Sequence, residues 1–284
     1  MKPRIDPSTR TLLEPAPTLP TPGPLPTSPG RGFVDLCART SFSGVTIEGY
    51  GTVDGRSVHD ARAAWPGAGL PEEVVTRAAV FGQDTVAIAD IDTVAGVVRA
   101  HDRGKELGVG VIPGCELLLD EGSLVLLPMD ARGWANLCAI LTIAKDGTRE
   151  RGVEKDDVEH RLQTVIDHAA SLQAIAWLPF ADHALLRLHD AFGDRLSVGL
   201  AFTDTPDDDV AVAFVDHARE RFGIAALLSA RPLLVDEADG PLLDVLCCIR
   251  QHLRLSSAGQ RLPPNRLSRM MTGDDVTGRF HRHR

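Results

Sequence analysis

The stretch VAIADIDTVAG, residues 86–96, ends an apolar, β-rich run in two carboxylates, Asp90 and Asp92. Carboxylates can hold a cation or carry a proton, and the C-terminal ends of strands are where α/β folds place such chemistry. Between them stands Ile91, which can do neither. The run reads either as an active site or as the remains of one. Other reactive side chains narrow the choice little. Cys37, Cys115, Cys138, Cys247 and Cys248 are scattered and form no CxxC pair, which argues against a disulfide framework and a structural zinc site. Most lie in apolar stretches and read as buried, reduced thiols. His101, His160, His168, His183, His189, His217 and His252 fall in or beside expected helices. His59 stands apart from any ligand motif, and His281 and His283 flank arginine in the tail. Most read as solvated or locally satisfied groups. No GxxxxGK[ST] phosphate loop is present.

The elements that must position these groups alternate in type. Apolar residues at helical spacing mark helices over 71–82, 95–108, 133–145, 156–172, 183–193, 208–223 and 240–253. Between them, β-rich runs predict strands at GFVDLCART, DTVAIAD (84–90), 109–119, 123–129, 173–180, 195–202 and 224–230, with a hairpin-like turn at DEGS. About seven alternations predict an α/β barrel of parallel strands joined by right-handed crossovers. Its rim would gather Cys37–Arg39, Asp90–Asp92, Glu116, Phe180, Thr203 and Arg231–Leu233.

The flanks differ from this pattern. Residues 1–31 are proline-rich, which removes backbone donors and predicts a disordered leader. A basic tail follows the barrel over 256–284, with Arg261, Arg266, Arg269, Arg279, Arg282 and Arg284. It reads as a basic patch or as a solvated end. The net charge of −9 disfavours a free-standing DNA binder. No apolar run reaches the ~18 residues of a membrane span. The N-terminus lacks the apolar core of a signal peptide, so a cytoplasmic protein is expected.

The segments FVDLCARTSFS (33–43), residues 71–117, LVLLPMDARGWANLCAILT (124–142), AALLSARPLLVDEADGPLLDVLCCIR (225–250) and AGQRLPPN (258–265) resemble the PHP domain of bacterial DNA polymerase III alpha subunits. The error-prone alpha subunits look most similar. The resemblance implies a distorted (β/α)7 TIM-like barrel over 32–255, with 256–284 as the remnant of a connection to a polymerase palm. It also implies a rim cluster of metals, manganese, zinc or iron, that hydrolyses phosphoesters.

Aligned on that family, the ligand motifs are degraded. The first His-x-His falls on Cys37 and Arg39, the Asp-His pair on Asp90 and Ile91, and the late Asp-x-His on Arg231, Pro232 and Leu233. Only Gly-x-Glu persists, as Gly114, Cys115 and Glu116. Asp90 and Glu116 thus survive, with Asp35 or Asp92 nearby. The expectation is a degenerate rim site of Asp35, Cys37, Arg39, Asp90, Asp92, Glu116 and Arg231, with the arginines pairing the carboxylates and no catalytic residue. Were a metal bound, Cys37, Asp90 and Glu116 would hold it. The function expected is a non-catalytic module that docks a polymerase or translesion-complex protein in DNA replication or repair, meeting DNA only indirectly. A residual metal-dependent phosphoesterase and a truncated polymerase fragment are the alternatives.

Overall fold

In β1 (Thr85–Ile91), every residue from Val86 onward is buried, as a strand covered on both faces should be. The helix before it, α1 (Pro71–Val80), starts with a proline whose missing N–H is no loss there. The Glu73 carboxylate accepts a 2.7 Å bond from the Leu70 N–H, satisfying another free donor of the first turn. α2 (Val97–Leu107) ends at Gly108, whose φ of 71° suits a residue without a Cβ. α1 and α2 pack over Val86 and Ile88, which turn outward from β1. Ala87 and Ala89 turn the other way, into a small interior cluster with Cys37, Val125, Leu127, Ile175 and Trp177. This computed structural model describes residues 33–43, 65–119, 122–146, 157–177 and 180–282.

The chain continues through β2 (Gly110–Leu119), β3 (Gly122–Pro128), α3 (Ala131–Asp146), α4 (Asp157–Asp167), β4 (Leu172–Trp177), α5 (Asp182–Phe192), β5 (Leu196–Leu200), α6 (Asp207–Phe222) and β6 (Ala225–Leu228). The six strands form one sheet in sequence order. The main apolar layer lies between that sheet and α3–α6, with Leu124, Leu126, Leu137, Leu162, Leu172, Leu185 and Leu188 at its centre. Each fully buried side chain of this size contributes about 1.5–3 kcal/mol.

The architecture is α/β and TIM-like, as expected, with two departures in the strands. The segment at residues 33–40 makes only one ladder bridge, Ala38 to Ile88. It still acts as an irregular seventh stave, since Ala87 and Ala89 donate to the carbonyls of Asp35 and Ala38, and Arg39 donates to Pro232 O. β3 departs from the all-parallel expectation: it runs antiparallel to both β2 and β4. The short DEGS connection explains this, because parallel neighbours need a long crossover.

The C-terminal region also folds. After α7 (Gly240–Arg250) and the single turn α8 (Leu255–Ala258), the helix α9 (Gly273–Arg282) returns to the barrel. Met270, Met271 and Val276 are buried. Asn265 Nδ2 donates to Thr203 O at 2.6 Å. This stretch is therefore no solvated end. The expected leader, His59, the first two residues of the DEGS turn, His283 and Arg284 lie outside the described residues.

Gly199 in β5 has the Trp177 indole directly above it, and a Cβ there would sit 2.6 Å from Trp177 Cε2. Gly199→Ala should overpack the interior and destabilise the fold by about 1–3 kcal/mol, read from urea unfolding.

Candidate functional site at the barrel rim

Side-chain alternation along β2 turns Cys115, Leu117 and Leu119 outward into the main core and leaves Glu116 on the inner face. There Glu116 is fully buried. Such a charge persists only if it is paired and hydrogen-bonded. Two cations meet it. Arg39 forks onto it, Nε to Oε2 at 2.7 Å and an Nη to Oε1 at 2.6 Å. Arg231 reaches Oε1 at 2.6 Å from the loop after β6, and Ser123 Oγ also donates to Oε1. Burial pushes the Glu116 carboxyl up, but Arg231 and then Arg39 outweigh it and bring it down to about 2.

Both arginines are held in place independently of Glu116. The remaining Nη of Arg39 donates to Trp65 O at 2.6 Å, and the side chain is fully buried. The Arg231 guanidinium stacks 4.5 Å from the Trp177 ring centre. Its backbone sits at φ 44°, in the left-handed region, with its N–H donating to Ser229 Oγ.

Asp35 and Cys37 share the stave that carries Arg39. Asp35 Oδ1 accepts from Cys37 N and Ser229 Oγ, while Oδ2 is buried without a hydrogen-bond partner. Burial raises its carboxyl to about 6. Burial, then Asp35 and Glu116, push the Cys37 thiol far above its ordinary range. That environment favours the neutral thiol at Cys37.

Asp90 requires a correction. Sequence reasoning placed it beside Glu116, facing the arginines. It lies instead on the outward side of β1, the side of Val86 and Ile88. Its Oδ1 accepts from Thr40 N at 2.6 Å and Ser43 Oγ at 2.9 Å, and its Oδ2 accepts from Thr40 Oγ at 2.8 Å. Burial raises its carboxyl despite those bonds. Ile91 takes the inward position beside Glu116 in the β1–β2 register. Asp92 follows at φ 51°, its N–H donating to Glu116 O. A set of Cys37, Asp90 and Glu116 thus does not converge, because adjacent strand residues point to opposite faces.

Of the other rim positions, Phe180 is part of the main core, and Thr203 N and Oγ bond Asp208 at the start of α6. Sequence reasoning missed Ser123, Trp177, Thr40 and Ser43. Only Ser123, a hydroxyl in the otherwise apolar run SLVLLPM, gave a signal.

Arg39, Trp65, Trp177, Gly199, Thr203 and Arg231 line a cavity of about 50 Å³. That is room for a water or two, against about 300–1,000 Å³ for small-molecule pockets. Among the described residues no three His, Cys, Asp or Glu side chains cluster to hold a metal. With both Glu116 oxygens taken by guanidinium, the donor set does not fit a catalytic metal cluster.

The PHP domain profile matches residues 57–198, half of the chain. The chain belongs to the PHP domain family. Its relatives include the error-prone DNA polymerase of Anaeromyxobacter sp. (strain K), 34% identical over 225 residues, which cover 75% of this chain and 20% of that protein. The error-prone DNA polymerase of Bdellovibrio bacteriovorus is 28% identical over 269 residues, 89% of this chain and 23% of that protein. This PHP chain therefore spans about a fifth of the length of the curated relatives it matches. Among solved structures, an amidohydrolase from Chromobacterium violaceum aligns at TM-score 0.36 and 20% identity, over 59% of this chain and 83% of that one.

The paired carboxylate of this PHP domain makes stability depend on pH. Glu116 has a folded-state value below its ordinary 4.5, so its contribution is complete above about pH 4.5 and is lost as pH falls toward 2. It amounts to about 3 kcal/mol. Asp35, raised to about 6, acts with the opposite sign, and its contribution is lost as pH rises from about 4 through 6. Comparison of parent and variant isolates Glu116. Glu116→Gln strands two buried cations and should cost about 3–5 kcal/mol at pH 7. In urea unfolding at stepped pH, that gap should narrow below pH 4.5.

Proposed function

We propose that this chain is a non-catalytic PHP module that serves as a scaffold or docking partner for a polymerase or translesion-complex protein in DNA replication or repair. The observation that carries the reading is the double capture of Glu116 by Arg39 and Arg231. A phosphoesterase site would need carboxylate lone pairs for cations. Here those lone pairs belong to guanidinium and hydroxyl donors, and the rim cavity has no room for a phosphodiester.

The docking part of the proposal draws on α7. One face of that helix packs Leu243 and Cys247 inward. The other presents Leu242, Val245 and Ile249 to solvent, the last 63% exposed. These residues recur at i, i+3 and i+7, an apolar stripe of the kind that marks a protein contact. The curated relatives carry about four-fifths of their length beyond the matched region, so a polymerase-type polypeptide is the partner that fits. Among the described residues no helix is long and apolar enough to cross a membrane. A cytoplasmic setting belongs to the same proposal.

Two measurements test it. After incubation with manganese, zinc or iron and desalting, elemental analysis should find no stoichiometric metal, and bis(p-nitrophenyl) phosphate should not be hydrolysed. Retained metal or hydrolysis that disappears in Glu116→Gln would overturn the non-catalytic reading. In a pull-down, the chain should retain an error-prone polymerase lacking its own matching region, and Ile249→Asp should abolish that retention.

A further inference from the structure

The arginines of the basic tail take no part in the pairing of Glu116. Arg266 is committed elsewhere, to Asp244 at 2.5 Å. Arg269, Arg279 and Arg282 instead converge on a separate cavity of about 330 Å³ between α9 and the end of α1. This volume falls within the ~300–1,000 Å³ range of small-ligand sites. Gly278 leaves part of its wall open, since a Cβ there would meet nothing within 4 Å.

The charges around this cavity are unevenly matched. Asp274 and Asp275 also line it, against the three arginines. Asp275 is held by Thr272, whose Oγ donates to it at 2.6 Å in the first turn of α9. Among the described residues no carboxylate forms a salt bridge with Arg269, Arg279 or Arg282, although eight other arginines do pair with carboxylates. Arg279 is anchored by carbonyls instead, one Nη donating to Phe202 O and Leu267 O. Arg269 donates to Arg266 O. Such anchoring fixes guanidinium groups without a direct carboxylate ion pair, while Asp204 and Asp275 act on Arg279 only at longer range. Burial lowers the Arg279 value and Asp204 opposes this, while Arg269 and Arg282 lower it further. Arg279 and Arg282 also favour the C-terminal end of the α9 dipole, but Arg269 lies outside that helix.

We infer that Arg269, Arg279 and Arg282 form an anion site that takes a phosphate group. A phosphate offers several acceptor oxygens to planar, fixed guanidinium donors, and its charge relieves their mutual repulsion. The group can come from a polynucleotide backbone or from a free phosphate compound. This site is distinct from the Glu116 rim and does not depend on the docking proposal.

The test uses the full chain, with sodium pyrophosphate and a fluorescent single-stranded 20-mer as probes. Pyrophosphate should raise the melting temperature, the 20-mer should raise anisotropy, or both. Binding should weaken as salt rises. Arg282→Gln, at an exposed position, and Arg269→Gln should each weaken binding about fivefold or more without lowering the melting temperature of the unliganded protein appreciably. Binding of the 20-mer alone assigns a polynucleotide backbone, and binding of pyrophosphate alone assigns a free phosphate compound. Binding of neither probe, or binding unchanged in both variants, overturns the inference.

Discussion

A guanidinium forked onto a carboxylate inside the barrel mouth, Arg39 on Glu116, is the contact from which the rest of the rim is arranged. Neither group could be buried alone, because an unpaired charge in that interior is strongly disfavoured. Paired, they tie the irregular first stave to β2. Arg39 then carries the tie outward to Trp65 and, through its backbone, to Pro232. Arg231 closes the remaining side of Glu116 and covers Trp177. The barrel mouth is thus sealed by ion pairs and indole packing.

In this PHP barrel the buried carboxylate of β2 is paired internally by arginines. Arginine differs from a metal ion in that it arrives with the chain, already attached to the fold it stabilises. Its planar fork satisfies two carboxylate oxygens at once. The neighbouring groups surround that pairing. Cys37 is held neutral, Asp35 has one oxygen unpartnered, and Asp90 is fully occupied by Thr40 and Ser43 on the far side of β1. Asp90 pins the loop after the first stave to the end of β1, and Gly96 leaves room for its oxygen.

The surface features lie away from the sealed mouth. α7 shows an apolar stripe and α9 contributes arginines to a cavity at its base. Both belong to the C-terminal part of the chain, which packs onto the barrel through Met270, Met271 and Val276.

The sequence by itself determined the class of fold and most of its elements. The periodicity of TVAIADI, of α1 with its proline and glutamate, and of the later helix–strand pairs is local, and burial of these faces follows directly from it. It also determined which ligand types were missing at the rim, since Arg39, Ile91 and Arg231 are identities, legible without coordinates. Tertiary structure alone decided which survivors meet. Asp90 and Glu116 part company because each strand's alternation is anchored by its neighbours, and one residue of register moves a side chain to the other face. The stacking of Arg231 on Trp177 and the return of α9 onto the barrel rest on contacts between residues tens of positions or more apart. Those contacts leave no short-range pattern, so only the folded chain displays them.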